Sequence, residues 1–143
     1  MAANTLPIFS KLGAIQFFKT DGDGGSAGPL KTANNNYDGT TGTYLTVFTS
    51  DTTNGSYVER IRCKAAGANV QSLLRIFIVD NANSKSILFD EAALPATGAS
   101  ATTPQPAVDI PVKMALPPNF SIKVAIATTV SAGWYVSVWG GTY

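Results

Sequence analysis

Acid–base and nucleophilic chemistry need a positioned base, and this chain offers little to act as one. It contains no histidine, so Ser-His-Asp and Cys-His arrangements are excluded within it. Glu59 and Glu91 are the residues that an aspartate could join as an acid pair. Glu59, however, shares the parity of Ile61, and Asp90-Glu91 fall at a predicted strand exit, so both read as polar edge or turn positions. The glycine-rich stretch 22–28 lacks the Lys-Ser/Thr that follows a phosphate-binding loop. Asp21-Gly-Asp23-Gly-Gly-Ser26 resembles the start of a calcium loop, but Thr32 stands where the closing bidentate glutamate belongs. No metal, no cofactor and no catalytic residue are therefore expected. The single cysteine, Cys63, has no partner for a disulfide or a zinc site and alternates with Ile61 and Ala65. It reads as a small buried hydrophobe.

Two other groups of side chains point to binding instead. Arg60, Arg62 and Lys64 recur every second residue, which places a basic ladder on one face of a strand. The large rings fall on both parities of several predicted strands: Phe17 beside Phe18, Phe77 opposite in parity to Ile76 and Ile78, and Tyr135 and Trp139 opposite to Trp134, Val136 and Val138. If one parity fills a core, the other must meet something else, and aromatic anchors contribute disproportionately at interfaces. Phe9, Phe17, Phe77, Tyr135, Trp139, Arg60, Arg62 and Lys64 are thus the candidate interface residues.

The elements that must position them all beat with a period of two. Strands are predicted over 13–20, 43–49, 57–65, 70–79, 86–89, 107–114, 120–127 and 134–140, separated by Gly, Pro and Asn turns. Asn54-Gly55 predicts a hairpin between the second and third of these. Pro111 marks its strand as an edge or a bulge, and Ala92-Ala-Leu94 suits a short helical turn before Pro95. The pattern predicts an all-β, single-domain β-sandwich of about eight antiparallel strands, with a jelly roll the favoured member of that class. Residues 1–12 read as an N-terminal arm. Residues 13–143 form the sandwich, with a long Gly/Asn-rich loop at 21–41 that is either mobile or an interaction surface.

Composition agrees with a protein that assembles. Charged residues make up 13% of the chain, about half the usual ~25%, so few charges need desolvating at contacts. A net charge of +1 gives no general pull toward nucleic acid or an anionic membrane. Met-Ala-Ala-Asn-Thr-Leu-Pro has no basic segment followed by an apolar one, and no stretch approaches ~20 apolar residues. Synthesis in a cytoplasm is the expectation, with neither nucleic acid nor membrane as partner.

From Tyr57 to Tyr143 the order of segments resembles small structural proteins of tailed bacteriophages. The resemblance is carried by Gly55-Ser-Tyr57-Val-Glu59-Arg-Ile61-Arg-Cys63-Lys-Ala65-Ala-Gly67, the run to Phe77-Ile78, and Ile87-Leu-Phe89-Asp-Glu91 before Leu94-Pro95. Ala115-Leu-Pro-Pro-Asn119-Phe-Ser-Ile122-Lys-Val124 and Ala132-Gly-Trp134 complete it. It implies a non-enzymatic virion protein, foremost a capsid decoration or cement subunit bound to the major capsid protein or another virion protein. A homo-oligomer, with a trimer favoured, and a final location in the virion follow from the same resemblance. The alternative is a carbohydrate- or receptor-binding module of a tail or fibre, with Trp139, Tyr135 and Tyr37 as stacking platforms.

Overall fold

The computed structural model describes residues 12–17, as backbone, and 28–143. Phe9, Phe18 and the Asp21/Asp23 string lie outside the described residues. Eight strands are present: β1 (Leu12–Phe17), β2 (Leu45–Thr49), β3 (Ser56–Ala65), β4 (Ser72–Asp80), β5 (Lys85–Leu94), β6 (Ala107–Leu116), β7 (Phe120–Ile126) and β8 (Trp134–Thr142). They form two four-stranded antiparallel sheets, ordered β1-β8-β3-β6 and β2-β7-β4-β5. No helix occurs among the described residues.

Period-two alternation sets which side chains meet between the sheets. Ile61 and Cys63 of β3, with Val136 and Val138 of β8, face Leu74 and Ile76 of β4 and Ile122, Val124 and Ile126 of β7 in one continuous core. Trp134 is the largest fully buried side chain. Each such side chain contributes roughly 1.5–3 kcal/mol by leaving water.

Several local expectations give way to the long-range arrangement. The Asn54-Gly55 turn joins strands of different sheets, so it is an arch over the sandwich and not a hairpin. Its glycine is required nonetheless: φ is +79°, and a Cβ there would sit 2.5 Å from the Leu116 carbonyl oxygen. Among the described strands, only β4 and β5 are consecutive strands that pair with each other. Ala92-Ala-Leu94 extends β5 instead of starting a helical turn, because Ala92, Ala93 and Leu94 continue the ladder opposite Leu74, Leu73 and Ser72. Pro111 does lie on an edge strand, opposite Arg60 at a bulge. Against β8, Glu59 is an extra residue between Val58 and Arg60, which resets the parity. Glu59 is therefore exposed while Ile61 is buried, contrary to their shared spacing.

The described part of the long loop, together with the residues that follow it, forms a strap over 28–44 that is tied to the sandwich. Leu30 bridges Trp134 and Ala33 bridges Ile126. Asn34, buried, donates its amide to the carbonyls of Thr41 and Thr43. Further along, Tyr44 meets Phe77 edge-on with ring centroids 5.1 Å apart. Phe77, Val79 and Ala125 make a small second core on the outer face of the second sheet, with Tyr44 and Leu88 packed against it.

Candidate functional site

The outer face of the first sheet gathers most of the candidate interface residues. Antiparallel register sets Tyr135, Ser137 and Trp139 of β8 directly opposite Lys64, Arg62 and Arg60 of β3. On the far side of β3, the same three basic residues stand opposite Ala107, Asp109 and Pro111 of β6. Directly opposed residues of an antiparallel pair share a face, so nine positions make a three-by-three array. Phe17 of β1 pairs with Ser137 in the backbone ladder.

The array is organised by charge as well as by register. Asp109 lies between the two guanidinium groups, 3.4 Å from Arg62 and 3.9 Å from Arg60. The Arg60 guanidinium sits 4.3 Å from the centroid of the Trp139 ring, a cation–π contact that holds both side chains flat on the sheet. Lys64 donates through Nζ to the Gln105 carbonyl. Tyr135 is 45% exposed and Trp139 36%. Close approach of β8 to β3 depends on Gly140, where a Cβ would lie 2.3 Å from the Tyr57 carbonyl oxygen. Three cations against one carboxylate leave the array net positive.

Phe77 does not belong to it. Although its parity is opposite to that of Ile76, the ring is fully buried, because the strap lies over that face and seals it. Phe77, Val79 and Ala125 on the outer face of the second sheet are thus covered within the chain, while Leu73 on the same face stays 38% exposed.

The remaining chemistry-bearing residues take structural places. Cys63 is buried, and burial followed by the nearby Asp109 charge pushes its thiol up to about 12, which makes it a poor nucleophile. Glu91 lies within β5, not at its exit, and pairs with Arg75 at 3.0 Å. Arg75, a basic residue that could have extended the β3 ladder, lies instead on β4 of the second sheet, and its burial follows from the strap. It is 4% exposed and donates to Glu91, the Asn34 carbonyl, Asn35 Oδ1 and the Tyr37 hydroxyl. Ile87 and Phe89 of β5 are also exposed, a second apolar surface that the short predicted strand did not resolve. Among the described residues no group of three His, Cys, Asp or Glu side chains is placed to hold a metal ion. Compared with family models, curated proteins and solved structures, the chain has no match.

Proposed function

We propose that this protein is a non-enzymatic structural subunit of a phage particle, a decoration or cement protein that docks through the outer face of its first sheet. The observation that carries the reading is the asymmetry of the two outer faces. One is covered by the chain's own strap; the other presents Tyr135 and Trp139 beside Arg60, Arg62 and Lys64 on rigid, paired strands. A ring and a guanidinium already stacked lose little freedom on binding, and a net positive array suits an acidic patch on a shell protein. The same array suits a homo-oligomer, a trimer by the phage resemblance, whose subunits leave this face toward the shell. Stacking a sugar on Trp139 is the competing use of the face, and Arg60 already occupies one side of that ring.

The strand pairing favours the jelly-roll form of the sandwich. β1 with β8, β2 with β7, β3 with β6 and β4 with β5 are nested pairs. That nesting arises when one long hairpin, with its tip between β4 and β5, rolls into two sheets.

Light scattering on the eluting protein, and co-sedimentation with assembled particles of its phage, test the role. The reading expects an oligomer or tight attachment to assembled shells. A Tyr135→Ser/Trp139→Ser/Arg62→Glu variant should weaken attachment at least roughly tenfold, as loss of a central anchor does. A monomer with no affinity for shells, or a variant that attaches as well as the parent, would overturn it.

A further inference from the structure

We propose that the strap carries a binding site for a neutral saccharide, with Tyr37 as its stacking platform. Tyr37 is 57% exposed, yet the residue that holds it, Arg75, is 4% exposed. The Arg75 guanidinium lies 4.2 Å from the centre of the Tyr37 ring and donates to its hydroxyl at 2.8 Å. Burying a guanidinium is costly unless its donors are satisfied. Here the donors go to Glu91, Asn34, Asn35 and Tyr37, all but Glu91 on the strap. The result is an aromatic side chain fixed in position, with one ring face backed by a cation and more than half of its surface exposed to solvent.

A pyranose has one face made of C–H bonds, which packs on such a ring, and a rim of hydroxyls that seeks fixed polar groups. The rim groups are present. Glu91 Oε1 and Asn35 Oδ1 both accept from the same Arg75 guanidinium that holds Tyr37, which gathers a carboxylate and an amide around the platform. Asn36 is locked by bonds from its amide to Asn34 Oδ1 and the Thr41 carbonyl. Asp38 follows Tyr37 in the chain and Glu91 shares the Arg75 guanidinium with it; both carboxylates disfavour an anionic sugar, so selectivity is for neutral ones. The second sheet, which the strap covers, faces away from the first-sheet array, so attachment by one leaves the other open.

Titration of the isotope-labelled full-length protein with the methyl glycosides of glucose, galactose, mannose and N-acetylglucosamine tests the site, with methyl glucuronide as the acidic comparison. At least one neutral glycoside should shift the amides of residues 35–38 and Glu91, with an affinity on the order of millimolar. Tyr37→Leu should weaken that binding roughly tenfold, Tyr37→Phe less, and Trp139→Ala not at all. The site is refuted if no neutral glycoside moves those amides, if the shifts survive Tyr37→Leu, if they centre on Tyr135 and Trp139, or if the glucuronide binds equally well. The parent protein is titrated directly, and an amide spectrum of Tyr37→Leu that otherwise matches the parent separates loss of the platform from loss of the fold. Shell attachment is read separately, by co-sedimentation, and does not depend on it.

Discussion

At the scale of single residues, burial and backbone conformation determine what each side chain can do. Cys63 is the clearest case. Burial favours the neutral thiol, so the folded chain resists thiolate formation until about pH 12, while the unfolded chain ionises near the usual ~8.5. Native protein at pH 8 should therefore resist iodoacetamide, and label fully once unfolded in urea. Rapid labelling of the native form, read by mass spectrometry, would contradict the burial. Gly39 makes an equally local prediction. Its φ is +70°, and a Cβ would fall 1.7 Å from Ser86 Oγ, so Gly39→Ala meets both backbone strain and a clash. A loss of about 1–3 kcal/mol is expected in urea unfolding. The period of two was sufficient to read Cys63 correctly, since its neighbours in β3 share its face. It was insufficient for Phe77, whose cover comes from Tyr44, thirty-three positions earlier in the chain, and no local pattern encodes such a contact.

Among the elements, turns and strap are held by aspartates that accept hydrogen bonds from the backbone. Asp38 accepts from the amides of Thr40 and Thr41 and from the Thr41 hydroxyl. Asp51 accepts from the amides of Thr53 and Asn54, and Asp80 from those of Ala82 and Asn83. For Asp38, the Thr41 side-chain bond leads the causes that hold its carboxyl well below the usual aspartate range. The Asn54 amide, first among its causes, lowers Asp51, and the Asn83 side chain lowers Asp80. A folded-state value below the unfolded one means that the unfolded chain binds more protons in acid. This contribution to stability is complete above the ordinary aspartate range and disappears as pH falls through the lowered folded values. Melting temperature should therefore drop below about pH 4, and Asp38→Asn should flatten that drop. An Asp38→Asn profile that superimposes on the parent would refute the assignment. Arg75 secures the strap in a different way. Arg75→Met keeps most of the volume but leaves the Asn34 carbonyl and Tyr37 hydroxyl without their donor, for a loss of about 1–3 kcal/mol. Glu91→Gln, at a partly exposed position, should cost less than about 1 kcal/mol.

At the level of the whole molecule, strand positions were legible in the sequence while strand partners were not. Alternation placed β3, β4, β7 and β8 within a residue or two of their observed bounds. The basic ladder and the β8 rings came together because β3 and β8 pair, and each face had already been fixed by parity. The hairpin expected at Asn54-Gly55 failed because a tight turn also serves an arch between layers, and the choice rests on contacts far along the chain. Those contacts have a dynamic consequence. β8 is an inner strand of the first sheet, between β1 and β3, and its pairing with β1 joins the first and last described strands. Its amides are released only when the whole sandwich opens, whereas residues 35–41 of the strap are held by Arg75 and a few local hydrogen bonds and can open alone. Native-state hydrogen exchange should accordingly show β3 and β8 amides exchanging with the free energy of global unfolding. The amides of residues 35–41 should exchange by a cheaper local opening that Arg75→Met makes easier, leaving the β8 amides tracking global stability. Protection of residues 35–41 equal to that of β8 would join strap and sandwich into one cooperative unit. Early exchange in β8 would mean that the pairing of the first and last described strands does not close the fold.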